Sequence, residues 1–226
     1  MMAKDFDLRD FDHVTRLFPL PNFVMFPHVV LPLHIFEPRY RQMTVDALEG
    51  DRIITMVQIS PASPGKTWAE PVPIEAVGCL GKIIQHERLS DGRFNLLLLG
   101  CKRVRLLHEL EGKKLYRSAL VEILEDQEPT PPHEPVRSEL IGLFRQAYKT
   151  HRELDSEMAE LLEKPVPLGV LTDLIAHALA LSPALKQRLL GESSVDRRAE
   201  IIRTVLREIA HHGPSARSFP PPFSIN

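Results

Sequence analysis

Five prolines interrupt an otherwise apolar segment near the start of the chain. They are Pro19, Pro21, Pro27, Pro32 and Pro38, within LFPLPNFVMFPHVVLPLHIFEPRY at residues 17–40. Proline has no N–H to donate and fixes its own φ, so a regular helix cannot run through this segment. The apolar residues between the prolines are therefore predicted to be buried as short extended pieces with bulges, at a sheet edge or a barrel seam.

The remainder of the first half predicts more strands and a single helix. Pro38 suits a first helical turn and Gly50 suits the position after a last turn, which predicts a helix over residues 37–50. Asp91-Gly92 tolerates the positive φ of a tight turn, which makes it the strongest hairpin signal in the chain. Further apolar or alternating runs predict strands at residues 53–59, 77–89, 94–99, 102–108 and 116–124.

The pattern changes to a helical period after the proline-rich stretch DQEPTPPHEP at residues 126–135. Helical spacing of apolar residues predicts one or two helices over 136–164 and a strongly apolar helix over 168–181. Pro183 can open the next helix, which Gly191 ends, and Ser193 or Ser194 can cap the last one. The final residues, SARSFPPPFSIN, are predicted to be disordered with a polyproline II tendency.

The composition is that of an ordinary soluble protein. A net charge of −2 over 226 residues creates no global field that would attract nucleic acid or anionic lipid. Cys79 and Cys101 are too few for a disulfide scaffold, no apolar run approaches the roughly 20 residues of a membrane span, and the acidic N-terminus does not resemble a secretory signal. These features predict a cytoplasmic protein that does not contact a membrane.

The sequence contains no recognisable catalytic, cofactor or metal site. Gly65-Lys66-Thr67 matches half of a phosphate-binding loop, but Ser60 stands where the motif needs glycine and no helix start follows. The two cysteines lack the spacing of a zinc site, and no G-x-S-x-G elbow is present. We therefore predict no cofactor, no metal and no enzymatic activity.

Several segments, taken in order, resemble the N-terminal substrate-binding domain of Lon protease. They are FPL, FPHVVLPLHIFEPRY, IITMVQI, VGCLGKIIQHERLSDGRFNLLLLGCKRVRL and the helical stretch that begins LGVLTDLIAHALAL, which together span residues 17–209. The resemblance implies an α+β fold, in which an N-terminal β pseudo-barrel (PUA-like) with one helix precedes a C-terminal α-helical bundle. The expected layout is a flexible lead-in at 1–16, the Lon-type barrel at 17–127, a linker at 128–135, the helical bundle at 136–212 and a disordered tail at 213–226.

The resemblance also implies a function and a set of partners. The chain ends where the ATPase of Lon begins, and no segment matches the Ser–Lys protease. It thus resembles a stand-alone, non-catalytic form that binds unfolded or client polypeptide. Two alternatives stay open: an adaptor for a protease or other protein partner, and an RNA-binding pseudo-barrel. Lys102, Arg103 and Arg105 could form a basic stripe for RNA, although alternating charges on a strand are more typical of a solvated face and the pI is near 6.6.

Three residues are candidates for contact with polypeptide. Met25 and Phe26 precede Pro27 at an expected strand crossing, where they serve either as contact residues or as core. Trp68, the only tryptophan, lies in a long loop rich in proline and serine. It could anchor a partner or fold back to pin the loop to the barrel.

Overall fold

The computed structural model describes residues 11–60, 72–149 and 164–212. The chain divides into two compact units, residues 1–125 with 183–191 and residues 126–182 with 192–226. The strands are β1 (Val14–Leu20), β2 (Val30–Ile35), β3 (Ile53–Gln58), β4 (Val77–Arg88), β5 (Phe94–Leu110) and β6 (Ser118–Leu124). The helices are α1 (Pro38–Leu48), α2 (Glu134–Lys149), α3 (Leu168–Ala178), α4 (Pro183–Gly191) and α5 (Val195–His212).

The six strands of the first unit form one ring-like sheet. Their order is β2-β5-β4-β3-β1-β6. β5 also pairs with β6, so β5, β4, β3, β1 and β6 form a ring, and β2 lies beside it on β5. β1 and β3 are parallel, and the other pairs are antiparallel. The predicted α+β class with an N-terminal pseudo-barrel is confirmed. Its core contains Leu17, Ile53, Val57, Leu80, Val104, Ala119 and Val121.

β5 is longer than the sequence suggested. Strands were expected separately at 94–99 and 102–108, whereas the structure joins them into one strand of 17 residues. Its first part pairs with β2 and its last part with β6, while β4 accompanies most of its length. Gly100 permits this continuity, because a Cβ there would lie 2.2 Å from the carbonyl oxygen of Phe26.

α1 begins and ends as its sequence predicts. Pro38 occupies the first turn after Glu37, and the backbone N–H of Gly50 donates to the carbonyl of Ala47. Tyr40, Met43 and Ala47 are buried, as is Thr44, whose hydroxyl donates to the carbonyl of Tyr40. Burial of this face fixes α1 on the sheet, and its first turn then lies at one end of β2.

α4 packs within the first unit, whereas residues 183–191 were expected in the helical bundle. Gln187 Nε2 donates to the carbonyl of Val77, and Arg103 Nε donates to the carbonyl of Leu190. Arg103 is therefore only 3% exposed. The interpretation of residues 102–105 as a basic stripe or a solvated face is wrong at this position, because a helix distant in sequence covers it.

The described helices of the second unit are α2, α3 and α5. Ser194 caps α5, since its hydroxyl accepts from the N–H of Arg197 and its carbonyl accepts from the N–H of Arg198. Leu140, Phe144, Leu171, Ile175, Ile202 and Leu206 are among the buried side chains. None of the helices that the structure describes is long and apolar enough to cross a membrane.

Candidate functional site

β2 lies at an edge of the sheet. It pairs with β5 on one side, and no described strand pairs with its other side. Gly100 N donates to Val29 O at 2.8 Å, so the backbone groups of residue 29 face β5. By the antiparallel alternation, the backbone N–H and C=O groups of Val30 and His34, and the C=O of Pro32, point away from β5. This strand therefore has unpaired backbone groups along the outside of the sheet.

The side chains beside this edge alternate between the core and solvent. Ile35 is buried, while Val30 is 46% exposed and Phe36, directly after the strand, is 60% exposed. We call the outer surface of β2 and the adjoining part of β5 the β2 face, which consists of Val30, Pro32, His34, Phe36, Leu97 and Leu99. Exposed apolar side chains next to unpaired backbone groups are typical of a surface that accepts an extended chain.

A row of polar side chains crosses the sheet at one end of the β2 face. His34 Nδ1 lies 2.8 Å from Asn95 Oδ1, and Asn95 Nδ2 donates to Glu87 at 3.1 Å. Arg93 Nη1 lies 3.2 Å from His34 Nε2. Because Asn95 Oδ1 can only accept, His34 carries its proton on Nδ1 and accepts from Arg93 on Nε2. The row fixes the orientation of the imidazole, whose ring stacks against Phe36 at 6.3 Å.

A cavity of about 350 Å³ lies where α1 meets the β4–β5 hairpin. Its wall includes the side chains of Val45 and Phe94 and two guanidinium groups, those of Arg41 and Arg88. Arg88 Cζ lies 5.7 Å from the centroid of the Phe94 ring. Arg41 and Arg88 are 47 positions apart in the sequence, and only the packing of α1 on the hairpin brings them together.

A smaller cavity, of about 220 Å³, lies on the other side of α1. Tyr40 and Tyr116 line it, and the Tyr116 hydroxyl donates to Asp46 Oδ2 at 2.7 Å. Burial, together with this hydrogen bond, raises the pKa of Tyr116 to about 12. Although burial opposes its ionisation, hydrogen bonds from Lys114 and Tyr116 hold the pKa of Asp46 below its usual value. The cluster stabilises a connection between α1 and β6 and has no arrangement suited to catalysis.

Two of the three residues predicted to contact polypeptide lie in the core. Met25 is 1% exposed and Phe26 is 0% exposed, as expected for core residues, the second of the two roles predicted for them. Trp68 and the Gly65-Lys66-Thr67 segment lie outside the described residues. The contact surface offered by the structure is instead the β2 face, a few residues further along the same proline-rich segment.

The described residues show no constellation for bond-breaking chemistry. No group of three or more His, Cys, Asp or Glu among them could hold a metal ion. Both cysteines are free thiols, and burial raises the pKa of Cys101 to about 11, so it is a poor nucleophile at neutral pH. The described part of the chain can therefore offer binding surfaces, but no activated nucleophile.

The family model for the ATP-dependent protease La (LON) substrate-binding domain matches residues 14–208. A Lon protease of Xanthomonas oryzae pv. oryzae is 32% identical over 186 residues, covering 81% of this chain and 22% of that protein. A Lon protease of Heliobacterium modesticaldum is 27% identical over 205 residues, covering 91% of this chain and 25% of that protein. The chain thus spans about a quarter of the length of these relatives.

Solved structures show the same fold. The N-terminal domain of the Mycobacterium avium complex Lon protease aligns with a TM-score of 0.68 at 15% identity, covering 86% of this chain and 98% of that one. A Lon N-terminal domain protein from Xanthomonas campestris aligns with a TM-score of 0.59 at 24% identity, covering 83% and 95%. Both alignments extend over most of the chain.

Proposed function

Because this chain belongs to the family of the ATP-dependent protease La (LON) substrate-binding domain, we propose that it is a non-catalytic module that binds unfolded polypeptide. The polypeptide adds as an extended strand beside β2. The observation that carries the proposal is the coincidence of an unpaired strand edge with alternating exposed apolar side chains at Val30 and Phe36. The family match supports a role in substrate recognition. The geometry of β2 suggests how the substrate binds.

The edge supplies affinity that does not depend on client sequence. A strand placed beside β2 pairs its backbone with the outward-facing groups of Val30 and His34 and with the carbonyl of Pro32. Each such hydrogen bond contributes a net stabilisation of only about 0.5–1.5 kcal/mol. Pro32 offers no donor, so one hydrogen bond is missing from the ladder. Proline at an edge also hinders uncontrolled pairing between sheets.

The β2 face supplies a preference for apolar clients. Alternate side chains of the added strand lie on the same side as Phe36 and Val30, where they cover apolar surface that is otherwise in water. Ordering a flexible chain opposes binding, so the expected dissociation constants lie between about 1 µM and 1 mM. This range suits a module that holds many different segments briefly.

Fluorescence anisotropy with a labelled, permanently unfolded polypeptide and a labelled single-stranded RNA, each over a salt series, tests the proposal. We expect the polypeptide to bind and its affinity to survive raised salt. Phe36→Ser should weaken binding about tenfold, which corresponds to about 1.4 kcal/mol. Leu107→Ser is the matched control, because Leu107 is 53% exposed on β5 outside the β2 face; it should leave binding unchanged.

Peptides with N-methyl groups on alternate amides test strand addition itself. Methylation in the register that faces β2 should abolish binding, whereas methylation in the other register should leave it intact. Equal effects in both registers would contradict an added strand. Binding to RNA alone, lost steeply with salt, would favour a nucleic-acid module. Absence of polypeptide binding up to about 1 mM would favour an adaptor with a dedicated protein partner.

A further inference from the structure

The cavity between α1 and the β4–β5 hairpin combines apolar walls with concentrated positive charge. Pro38, Val45 and Phe94 provide the apolar part, and Arg41 and Arg88 provide two guanidinium groups. Gly92 and Gln42 also line the cavity, and the side-chain oxygen of Gln42 already accepts from the N–H of Leu115. Among the described residues no carboxylate belongs to the lining, so the side chains that line the cavity carry a formal charge of about +2.

Neighbouring acids are engaged with other arginines. Glu37 accepts from Arg39, and Asp91 accepts from Arg93. Within the described part of the chain, Arg41 has no ion-pair or hydrogen-bond partner for its side chain, and Arg88 contacts only the ring of Phe94. Two guanidinium groups without acidic partners that converge on one cavity are the arrangement that binds a carboxylate through charge-assisted hydrogen bonds.

The guanidinium of Arg41 lies close to the turn of the hairpin. Gly92 has φ +79, and a Cβ at this position would lie within van der Waals overlap of the Arg41 guanidinium. Glycine therefore serves both the backbone conformation of the turn and the close approach of the arginine. Arg88 lies over the Phe94 ring, with its Cζ 5.7 Å from the ring centroid.

The cavity lies near the end of β2. Ile35, the last residue of β2, pairs with Phe94 on β5, and Phe94 pairs with Arg88 on β4. After Phe36 and Glu37 the chain enters α1 at Pro38, which lines the cavity. A polypeptide that continues past the end of β2 thus passes the first turn of α1, where Pro38 and Arg41 line the cavity, while β4 with Arg88 lies two strand spacings from β2, about 10 Å across the sheet.

We infer that the Arg41–Arg88 cavity binds the side-chain carboxylate of an acidic residue in the polypeptide held beside β2. The inference rests on the proposed function and defines its substrate class: extended segments with apolar residues followed by Asp or Glu. The methylene groups of the acidic side chain contact Val45 and Phe94, while its carboxylate accepts from both guanidinium groups. A phosphate ion has no methylene groups that could pack against the apolar wall of the cavity.

Two labelled peptides test this site. Both carry the same apolar, alternating segment and an amidated C-terminus, and they differ only in Glu against Gln at the positions after that segment. We expect the Glu peptide to bind about threefold to tenfold more tightly, with the ratio falling as salt rises from about 0.05 M to about 0.5 M. Arg41→Gln or Arg88→Gln should remove the difference and leave the affinity of the Gln peptide unchanged.

Arg52→Gln is the matched control, because Arg52 is an exposed arginine after the opposite end of α1; it should preserve the preference for Glu. If wild type binds both peptides equally, the carboxylate site is overturned while the proposed function survives. If it binds neither, the proposed function fails as well. If a Gln peptide with a free C-terminus binds as tightly as the amidated Glu peptide, the cavity binds a terminal carboxylate and the side-chain assignment is overturned. Displacement of the Glu peptide by phosphate at lower concentrations than by free glutamate would reassign the cavity to phosphate.

Discussion

Arg198 and Asp126 form a two-point ion pair in the second unit. Arg198 Nη1 donates to Asp126 Oδ1 at 2.8 Å, and Nη2 donates to Oδ2 at 2.5 Å. The arginine side chain is only 1% exposed, and Asp173, equally buried, lies 3.7 Å from its Nε. Nη1 also donates to the carbonyl of Glu192. This guanidinium therefore connects the segment before α2 with α3 and with the start of α5.

Arg198→Met should lower the free energy of unfolding of the second unit by up to about 3–5 kcal/mol, because it removes the guanidinium from the buried carboxylate of Asp173 and from Asp126, whose side chain is 31% exposed. Urea unfolding followed by circular dichroism at 222 nm measures the change. Arg197→Met is the control one residue away, where the side chain is 77% exposed. It should change the unfolding free energy by less than about 0.5 kcal/mol. Equal effects of the two substitutions would contradict a central role for Arg198.

Two glycines in helices should respond oppositely to alanine. A Cβ on Gly169 in α3 would lie 2.8 Å from Asp126 Oδ2 and 3.2 Å from Arg198 Nη2, whereas a Cβ on Gly142 in α2 meets nothing within 4 Å. Gly142→Ala should stabilise by up to about 1 kcal/mol through helix propensity. Gly169→Ala should destabilise despite the same gain, because it displaces the ion pair. Thermal unfolding of both variants gives the signs, and a stabilising Gly169→Ala would show that the pair relaxes freely.

Tyrosine titration should reveal the cluster around Asp46. The raised pKa of Tyr116, about 12, favours the protonated phenol in the folded protein. Its contribution to stability is therefore present below pH about 10, the unfolded value, and is lost as pH rises through about 12. Asp46→Asn should move the pKa of Tyr116 towards 10 without reaching it, because burial remains. Absorbance at 295 nm, with Tyr116→Phe to assign the transition, measures the shift. No movement in Asp46→Asn would contradict the hydrogen bond as a cause.

The thiols should react slowly while the protein is folded. Burial raises the pKa of Cys101 to about 11, from an ordinary value of 9.0. Its thiolate fraction at pH 8 is then about 100-fold lower than that of an ordinary cysteine. Cys79 is fully buried and should not react until the chain unfolds. Alkylation by iodoacetamide at pH 8, compared with the same protein in urea, checks this. A rapid single alkylation in the folded state would show that Cys101 is more accessible than its surroundings indicate.

Local signals predicted much of the fold. The prolines at residues 19–32 exclude helix, Asp91-Gly92 specifies a turn, and Ser194 marks the start of the last helix. Each of these signals depends on a few neighbouring residues. The continuity of β5 was not predictable in this way, because the local pattern around Gly100 indicated an interruption between two strands. Only the passage of the Phe26 backbone over Gly100 explains why that glycine lies inside a strand.

The candidate site depended on contacts that no local pattern encodes. The prolines of residues 17–40 indicated a sheet edge or a barrel seam, and β2 is an edge strand. They also predicted burial of the apolar residues between them, which is wrong for Val30 and Phe36, because these side chains lie on the solvent side of the edge. Arg41 and Arg88 come together only through the packing of α1 on the hairpin. Arg103 became buried because α4 returns to the first unit from 80 residues later, where Leu190 accepts its hydrogen bond.

The ring-like sheet also affects when the protein can fold during synthesis. β1 pairs with β6, with Val14 opposite Leu120, so this pairing cannot form until β6 has been synthesised. At about 5–20 residues per second, the ribosome needs about 5–20 s to make the intervening residues. During that interval β1 and the apolar segment after it leave the ribosome without their final neighbour. A module that we propose holds the unfolded segments of other proteins would thus pass through a comparable state of its own before its sheet is complete.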